Sequence, residues 1–503
     1  MSGEHGQLLG GLPAPVRRSL LAVLVVAVAV ASDACDASVG DAAALAAAVK
    51  RAGSDACFCS FDKRPACVGR TSVVAVTADI ALAAPVHIPF NASVSLVGPH
   101  AISGAGDHGL FVTFGQLALS GLRLADGNAM GTGGAEGCGT IAIFGACGGC
   151  VDVKPTGSLA VSDASFERCA ANHSGGAIYA YLSEVTLRNV SFARTSAGVG
   201  GGAIAIWGGE ATIVASTFVG TQSSFTGGAL CCAKSNCSVS RSLFRSTSAG
   251  EGGGAVAFEG GGSGGYGPAA RSLELEDTVF EGTAANHYGG AVLVSGGAVA
   301  AVGVTFDRCA AAVGGAVHLE SSKGYSGVSP IESDLDLRRC TFSSCRATTG
   351  DGGGVNVVSA GRVTLGPGLV FRGNVAETGG GGGAYLRNIS ESLVVRDAVF
   401  AENRCRSRGG GLFVEFQAPK PRVECARCPV EIDPYSRQPC AYAKNGTWRS
   451  WDVSSDVAVV GSTFVGNEAN FSAGGLGVTG GARMALEDTS FHRNSARISV
   501  PRP

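Results

Sequence analysis

The chain has 503 residues, a formal net charge of −2 at pH 7 and 16% charged residues. A charge this close to neutral lacks the basic surface that binds nucleic acid or anionic membranes, and a hydrophobic fraction of 45% argues against intrinsic disorder. Glycine supplies 78 residues and proline only 17. Glycine is therefore roughly double its usual ~7% without the proline of a collagen-like chain.

The N-terminus has the pattern of a secretory signal peptide. Arg17 and Arg18 precede an apolar run from residue 20 to residue 30, and Ala29–Ala31 forms a small-x-small cleavage site before Ser32. The alternative is a signal anchor that stays in the membrane, but the run is well short of the ~20 residues needed to span a bilayer. We therefore predict a signal peptide at 1–31, a secreted or cell-surface location, and no transmembrane segment after cleavage.

Cysteine usage and glycosylation motifs agree with export. All 18 cysteines follow the proposed cleavage site, and their number is even. Asn-x-Ser/Thr motifs give the candidate glycosylation sites Asn91, Asn172, Asn189, Asn236, Asn388, Asn445 and Asn470. Together with the signal peptide, these motifs predict a disulfide-bonded extracellular glycoprotein.

Residues 32–72 form a predicted helical cap rich in cysteine. Asp41 is a candidate N-cap before an alanine-rich run, so we predict a helix over 38–52 that stops at Gly53. Such a cap protects the apolar end of a solenoid from solvent. Two disulfides are expected to hold this segment, formed by Cys35, Cys57, Cys59 and Cys67.

From residue 73 to residue 160 the pattern changes to short apolar runs separated by glycine, proline and asparagine, which is typical of short strands. We interpret this part as the first coils of a β-solenoid. Residues 126–158 have the composition of an inserted loop and contain Cys138, Cys147 and Cys150.

A sequence repeat dominates residues 161–503. A Phe is followed three positions later by Asn, Thr or Cys, and then by a Gly-Gly pair that opens into a small residue and a branched aliphatic one. The basic period is 26 residues, as from Phe166 to Phe192 and from Phe192 to Phe218. The repeated aromatic residues are Phe166, Phe192, Phe218, Phe244, Phe280, Phe306, Phe342, Phe371, Phe400, Phe464 and Phe491.

A fixed period with short apolar runs predicts a solenoid whose coils stack as parallel strands ~4.8 Å apart. We expect two strands per period, an inward column of the Phe rings, a hydrogen-bonded polar ladder three residues later, and glycine at the bends. Where the period is longer, the extra residues have loop composition and must lie on the outside of a coil. They fall at Gly260–Pro268, at Ser321–Pro330 and in a cysteine-rich insertion at 417–451.

Cys309 and Cys345 are consecutive members of the polar ladder. A separation of one coil falls within the 4.4–6.8 Å range of disulfide Cα distances, so we predict that these two residues are bonded. Cys231 and Cys232 with Cys237 are interpreted as a stapled loop.

Two C-x-x-C motifs, Cys147–Cys150 and Cys425–Cys428, admit either a zinc site or disulfides. Zinc needs four ligands, and the second motif has only Cys440 nearby and no His, with Cys405 as a further thiol. We favour disulfides in this loop, and expect no metal or other cofactor.

The paired motifs resemble a known repeat. Phe400-Ala-Glu-Asn403 with Gly409–Leu412, Phe464-Val-Gly-Asn467 with Gly474-Gly475-Leu476, and Ser174–Ile178 resemble the repeat of the chlamydial polymorphic outer membrane proteins, over residues 166–494. The resemblance implies an all-β fold, a right-handed parallel β-helix of the pectin lyase-like type with an N-terminal helical cap, and a role in adhesion. Thr or Cys replaces Asn in the first seven repeats, and the abrupt end at Pro503 indicates a fragment or an incomplete gene model.

Enzymes on this fold would need carboxylates and a base that converge on one face. The candidate pairs are Asp334 with Asp336 and Glu274 with Glu276, and a further candidate is Asp107 with His108. We interpret both pairs as the solvated outer faces of strands that are not on adjacent coils.

The leading hypothesis is therefore a non-catalytic surface or extracellular protein that adheres to an unidentified protein or glycan on a cell or in the matrix. Its inserted loops, above all 417–451, would carry specificity. The alternative is a polysaccharide lyase or glycoside hydrolase that acts on extracellular glycans.

Overall fold

The computed structural model describes residues 37–54, 71–129, 147–261, 271–322, 332–416, 456–479 and 483–496. The predicted signal peptide, the cysteines at 35, 57, 59, 67, 138, 425, 428 and 440, and Asn445 lie outside these residues. In the described ranges, no helix is both long and apolar enough to cross a membrane.

From the strand Gln116–Ser120 to the strand Leu476–Thr479, each coil of the solenoid contains four short strands, whereas two were predicted. In the coil that begins at Glu184, the strands are Glu184–Arg188, Ser191–Ala193, Ser196–Ala197 and Ile204–Trp207. The predicted strand through Phe192 is broken at Asn189 (φ 52°), and a second bend follows at Arg194 (φ 54°). A left-handed residue turns the chain sharply, so each bend starts a new strand and a new sheet.

The four positions of the coil stack into four sheets, which we call A, B, D and C in the order in which a coil visits them. Sheet A has 15 described strands: Ala37–Val39, Ser72–Val76, Ser93–Val97, Gln116–Ser120, Ser158–Ser162, Glu184–Arg188, Glu210–Val214, Asn236–Ser240, Ser272–Glu276, Gly297–Val302, Ser333–Arg338, Ala360–Leu365, Ile389–Arg396, Asp456–Val460 and Arg483–Glu487. Sheet B has 14: Ile80–Ala81, Ala101–Ser103, Arg123–Ala125, Ser165–Glu167, Ser191–Ala193, Thr217–Val219, Leu243–Arg245, Val279–Glu281, Thr305–Asp307, Thr341–Ser343, Val370–Arg372, Val399–Ala401, Thr463–Val465 and Ser490–His492.

Sheet D consists of two-residue strands and has 12 of them: Asn128–Ala129, Ala170–Ala171, Ser196–Ala197, Gln222–Ser223, Ser248–Ala249, Ala284–Ala285, Ala310–Ala311, Arg346–Ala347, Val375–Ala376, Arg404–Cys405, Glu468–Ala469 and Ser495–Ala496. Sheet C has 13 described strands: Val86–Ile88, Phe111–Thr113, Val151–Val153, Ile178–Tyr181, Ile204–Trp207, Leu230–Ala233, Val256–Glu259, Val292–Ser295, Val317–Glu320, Val355–Val357, Ala384–Arg387, Leu412–Glu415 and Leu476–Thr479. Successive strands of each sheet pair in parallel, which makes the chain a parallel β-helix as predicted.

The repeated Phe residues form a continuous stack inside the coils. Each ring lies over the next with centroids 4.5–5.0 Å apart and nearly parallel planes, from Phe166 to Phe491. The rings are buried except that of Phe491, which is 44% exposed. The register pairs Phe192 with Phe166 on one side and Phe218 on the other, so each 26-residue repeat contributes one ring to the stack.

The ladder position three residues after each Phe is also buried, except at the half-buried Asn494. Asn374, Asn403 and Asn467 each donate from Nδ2 to Oδ1 of the next Asn, at 2.8–3.0 Å. The same Nδ2 groups donate to backbone carbonyls, as Asn403 does to Phe371 at 3.0 Å. These bonds tie neighbouring coils together at the bend between sheets B and D.

The Gly-Gly pair is required by the bend that leads into sheet C. Gly201 has a φ of +64°, which L-residues with side chains rarely adopt. A Cβ on Gly202 would overlap the carbonyl oxygen of Gly228 in the next coil. The pair therefore combines a left-handed turn with a close approach between coils.

The N-terminal cap is a helix, Ala42–Ser54. Asp41 caps it, since Asp41 Oδ1 accepts a hydrogen bond from the Ala44 amide at 2.8 Å. Leu45 and Val49 are buried against the first strands of sheets A and C. The helix begins four residues later than predicted, because residues 37–39 instead form the first strand of sheet A.

The structure contains two disulfides whose partners are both described, and only the second agrees with a prediction from the sequence. Cys150 is bonded to Cys169, with a Cα distance of 5.7 Å, and so joins the bend before sheet C to the ladder position after Phe166. Cys232 is bonded to Cys237 across the turn from sheet C to sheet A, which agrees with the predicted staple. Cys147 is also disulfide-bonded.

The predicted Cys309–Cys345 bond is absent, and both residues are buried thiols. The Cys309 Sγ accepts from the Thr283 hydroxyl at 3.3 Å, while the Cys345 Sγ donates to the Phe306 carbonyl at 3.5 Å. Each sulfur thus occupies a ladder position as a hydrogen-bonding group. Cys405 is a buried thiol among Ala376 and Ala469 rather than a member of the cysteine-rich loop.

Candidate functional site

The insertions leave the solenoid at one edge of sheet C. Segments 262–270, 323–331 and 417–455 all follow strands of sheet C and precede strands of sheet A. In a coil without an insertion the connection is short: after Ile178–Tyr181, for example, it consists of Leu182 and Ser183 alone. Segment 130–146 follows a strand of sheet D in the chain and precedes the opposite end of a strand of sheet C. Sheet C is therefore the sheet whose two edges carry the interruptions of the repeat.

The outer face of sheet C changes character along the rod. In the strand Val317–Glu320, Val317 and Leu319 are buried in the core, so the alternating residues His318 and Glu320 lie on the outer face. The register aligns one outer column through His318, Asn356, Tyr385 and Phe413. The adjacent outer column contains Glu320, Arg387 and Glu415. In three successive earlier coils the first of these columns holds the small residues Ala205, Cys231 and Ala257, whereas still nearer the N-terminus it holds Asp152 and Tyr179.

Hydrogen bonds and ring contacts join these side chains across neighbouring coils. The Tyr385 hydroxyl donates to Glu415 Oε2. Asn356 Nδ2 donates to the Asp351 carbonyl at 3.1 Å, and Asp351 Oδ1 accepts from the Gly380 amide at 2.7 Å. We call His318, Asp351, Asn356, Tyr385, Arg387 and Glu415 the sheet C cluster.

Three buried polar atoms of the sheet C cluster have no hydrogen-bond partner. They are His318 Nδ1, Asn356 Oδ1 and Arg387 Nε, and they come from three consecutive strands of one sheet. The His318 side chain is 3% exposed and Asn356 is 2% exposed. Buried polar groups are nearly always satisfied in folded proteins, so three unsatisfied atoms on three neighbouring strands mark a place where a ligand or water belongs.

Burial and neighbouring charges shift the titration of this cluster. Burial, with a smaller contribution from the Arg387 charge, lowers the pKa of His318 to about 4, so its imidazole is neutral at pH 7. Burial raises the pKa of Asp351, opposed by the Gly380 amide and Arg387 and reinforced by Glu415. Burial and the bond to Glu415 raise the pKa of Tyr385. The cluster thus holds one cation, Arg387, against the carboxyl groups of Asp351 and Glu415.

Aromatic side chains border the outer face of sheet C. The Tyr288 ring lies 4.9 Å from the His318 ring and is 39% exposed. Phe225 and Phe471 are exposed in the corresponding turns of other coils, and Trp207 is exposed at the opposite edge with Lys234 Nζ 5.1 Å above its ring. Exposed aromatic rings suit stacking against a ligand with an apolar face.

A second polar group lies on sheet C nearer the N-terminus. Lys154 Nζ and Asp152 Oδ2 form a buried ion pair at 2.9 Å. Burial, followed by the Asp152 charge, raises the pKa of the adjacent Tyr179. Because this pair is internally neutralised, it is a weaker candidate for binding a ligand than the sheet C cluster.

The carboxylate pairs considered from the sequence lie elsewhere. Asp334 and Asp336 are on the outer face of sheet A, where Asp334 accepts from Arg362 at 2.8 Å and Asp336 from Arg338 at 2.7 Å. Glu274 aligns with Ala300, which aligns with Asp336, so the two pairs are two coils apart as expected. These carboxylates are solvated or ion-paired, which agrees with the interpretation as a strand surface.

Asp107 and His108 do not form a catalytic pair. Both ring nitrogens of His108 lie within hydrogen-bond distance of backbone carbonyls, of Gly109 at 2.8 Å and of Leu82 at 3.1 Å. The imidazole is therefore engaged in holding a turn. Among the described residues, no group of three or more His, Cys, Asp or Glu side chains has the arrangement of a metal site.

The candidate glycosylation residues lie at the surface to different extents. Asn91, Asn172, Asn189 and Asn470 are exposed, whereas Asn236 and Asn388 are half-buried. Asn189 Nδ2 donates to Asp163 at 2.7 Å, and Asn236 Oδ1 accepts from the Ser272 amide at 3.2 Å. Glycosylation of these residues remains a prediction.

Sequence reasoning missed the sheet C cluster, although a signal for it exists. The residues directly after the Gly-Gly pair alternate between inward aliphatic and outward positions. The outward positions are small in several early repeats and become polar or aromatic in Val317–Glu320, Val355–Val357, Ala384–Arg387 and Leu412–Glu415. Comparing that one position from repeat to repeat would have revealed the change.

Comparison with known proteins gives similarities at low identity. No protein-family model and no curated protein matches the chain. Among solved structures, a surface adhesin of Streptococcus pneumoniae, PfbA, is similar with 13% identity and a TM-score of 0.35, covering 75% of this chain and 85% of that one. The periplasmic alginate epimerase AlgG is similar with 10% identity and a TM-score of 0.25, covering 84% of this chain and 77% of that one. Identities this low establish no function for this chain.

Proposed function

We propose that the chain is a secreted or cell-surface β-helical binding protein with a non-catalytic, adhesive role, and that its partner binds the outer face of sheet C. The observation that carries this proposal is the convergence of three features on one face. The insertions leave from its edges, exposed aromatic rings border it, and the unsatisfied polar atoms of the sheet C cluster lie on it.

Features of the sequence support the extracellular part of this proposal. The signal peptide pattern at 1–31, the even cysteine number and the exposed glycosylation motifs all suit export. We also propose that the chain is related to the chlamydial polymorphic outer membrane protein repeat. Its two motifs occupy the Phe stack, the Asn ladder and the glycine bend, so they support a shared architecture rather than a shared partner.

Adhesion of cells or matrix to the immobilised full chain tests the proposal. The double variant Trp207→Ala/Tyr288→Ala removes two exposed rings beside sheet C, and we expect it to reduce adhesion at least fivefold. The matched control is Val219→Ala/Val279→Ala, which removes exposed apolar side chains from sheet B and should leave adhesion unchanged. Equal effects of the two pairs, or no adhesion by the unmodified chain, would contradict the proposal.

A polysaccharide-active enzyme is the second candidate, and one observation favours it. Asp351 and Glu415 interact electrostatically, and burial raises the pKa of Asp351, which is how a general acid is maintained beside a second carboxylate. Release of reducing ends or unsaturated products from a panel of glycans would establish this activity. Its loss in Asp351→Asn and its retention in Asp334→Asn would assign it to the sheet C cluster.

A further inference from the structure

The three unsatisfied atoms of the sheet C cluster define what a ligand must offer. Arg387 Nε–H is a donor without an acceptor, and Asn356 Oδ1 is an acceptor without a donor. His318 Nδ1 can act as either, depending on the tautomer of the neutral ring. A hydroxyl group donates one hydrogen bond and accepts others, so a ligand with several hydroxyls complements all three atoms.

The charges around these atoms disfavour an anion. Arg387 is directly aligned with Glu415 on the next strand, and Asp351 faces the same cluster through its electrostatic contact with Arg387. Glu320 stands two coils away in the column of Arg387. A carboxylate ligand would gain one attraction from Arg387 and meet repulsion from at least two carboxylates.

Tyr288 supplies an apolar surface next to the polar atoms. Its ring packs against His318 and is partly exposed at the turn before sheet C. An exposed side chain changes rotamer on the ps–ns timescale, so Tyr288 can move to admit a ligand and then stack on it. Unsatisfied polar atoms beside a partly exposed aromatic ring suit a sugar, which has hydroxyls at its rim and C–H groups on its face.

We propose that the sheet C cluster binds an uncharged sugar residue of a glycan and discriminates against hexuronates. The inference rests on the proposed binding function and names the chemical class of the ligand. The Tyr288 ring stacks on the sugar face, while His318 Nδ1, Asn356 Oδ1 and Arg387 Nε bind its hydroxyls. Asp351 and Glu415 oppose the binding of a carboxylated sugar.

Calorimetric titration of the full chain tests the ligand class. The probes are neutral oligosaccharides of glucose, galactose, mannose and xylose, oligohexuronates of the same length, and short uncharged peptides. We expect at least one neutral oligosaccharide to bind, and every oligohexuronate to bind at least tenfold more weakly. Equal or tighter binding of hexuronates, binding of peptides alone, or no binding of any saccharide would overturn the inference.

Substitutions then locate the site. We expect Arg387→Leu and Asn356→Leu to weaken neutral-sugar binding at least tenfold, whereas the exposed control Arg372→Leu on sheet B leaves it unchanged. If a leucine variant fails to fold, the milder variants His318→Asn and Tyr288→Ala replace it. Their control is Phe225→Ala in the equivalent turn of another coil. Glu415→Gln should lower the ratio of neutral-sugar affinity to hexuronate affinity about tenfold. Unaltered binding in the cluster variants would mean that ordered water alone satisfies the three atoms.

The adhesion measurement separates this inference from the proposed function. Adhesion that survives removal of glycans from the target surface would mean a protein partner, so the binding function would stand and the sugar site would fail. Saccharide binding without adhesion would mean that the sugar site stands and the proposed adhesive function fails.

Discussion

Asn374 and Asn403 lie one coil apart inside the solenoid, and Asn374 Nδ2 donates to Asn403 Oδ1 at 2.9 Å. The same oxygen accepts the backbone amide of Asn374 at 3.0 Å. One side chain therefore satisfies two donors of the preceding coil while its own Nδ2 binds the Phe371 carbonyl and Asn467. The bend between sheets B and D depends on this repeated exchange.

Replacing Asn403 by Ala leaves these buried groups unsatisfied. At about 1–3 kcal/mol for a buried unsatisfied group, we expect a loss of about 3 kcal/mol in the free energy of unfolding. Denaturant unfolding followed by circular dichroism measures the loss. Asn494→Ala, in a part-buried terminal coil, is the control and should cost less than half as much. Equal losses would mean that the ladder bonds do not stabilise the interior coils.

The Phe stack makes a parallel prediction. Phe280 is fully buried between Phe244 and Phe306, with ring centroids 4.8 and 5.0 Å away. Phe280→Ala removes a ring from a close-packed column and should cost about 3–5 kcal/mol. Phe491→Ala affects a ring that is 44% exposed and should cost much less. The melting temperatures of the two variants give the comparison, and similar values would contradict the expectation that burial within the stack sets the cost.

His318 should make stability depend on pH. Burial and Arg387 lower its pKa in the folded chain to about 4, from 6.5, so the folded state binds fewer protons than the unfolded state between these values. The contribution of neutral His318 to the free energy of unfolding is therefore fully present above pH 6.5. It is lost as the pH falls from 6.5 to 4, by at most about 3 kcal/mol.

His318→Asn removes this titration. The difference in unfolding free energy between the parent chain and the variant should shrink across the window from pH 6.5 to pH 4. Asp351 titrates in the opposite direction, because its pKa is raised, but it is present in both proteins and cancels from the difference. Parallel pH curves for the two proteins would contradict the assignment.

Cysteine mapping tests the covalent structure. Alkylation of the native chain followed by peptide mass analysis should find Cys150 linked to Cys169 and Cys232 linked to Cys237. Cys309 and Cys345 should resist alkylation until the chain unfolds, because both are buried and burial raises the pKa of Cys345. A peptide that links Cys309 to Cys345 would restore the original prediction from the sequence.

The carboxylates on sheet A provide a negative test. Asp334 and Asp336 form exposed ion pairs with Arg362 and Arg338, and exposed pairs contribute about 0–1 kcal/mol. Asp334→Asn/Asp336→Asn should therefore change stability by less than about 1 kcal/mol and leave ligand binding intact. A loss of binding in this variant would move the candidate site from sheet C to sheet A.

Several structural features follow from local chemistry, and the sequence predicts them. The position of Asp41 predicts the helix cap, although the helix starts at Ala42 rather than residue 38. The spacing of Phe192 and Phe218 predicts the stack, since the inner position of each coil repeats with the period. Two strands were predicted where four exist because the left-handed residues that divide them differ in type. Asn189 belongs to a type that favours this region and Arg194 does not, so the bends share no single sequence signal.

The sequence by itself determined the coil: its 26-residue period, the Phe stack, the Asn ladder and the glycine bends all come from residues that recur at fixed spacing. Only the tertiary structure decided which side chains meet outside the coil. The chain between His318 and Asn356 includes the inserted segment 323–331, whereas the chain between Asn356 and Arg387 passes from sheet C to sheet A through residues 358 and 359 alone. Backbone hydrogen bonding restores the register after each insertion, and that register brings these three polar side chains together on one face.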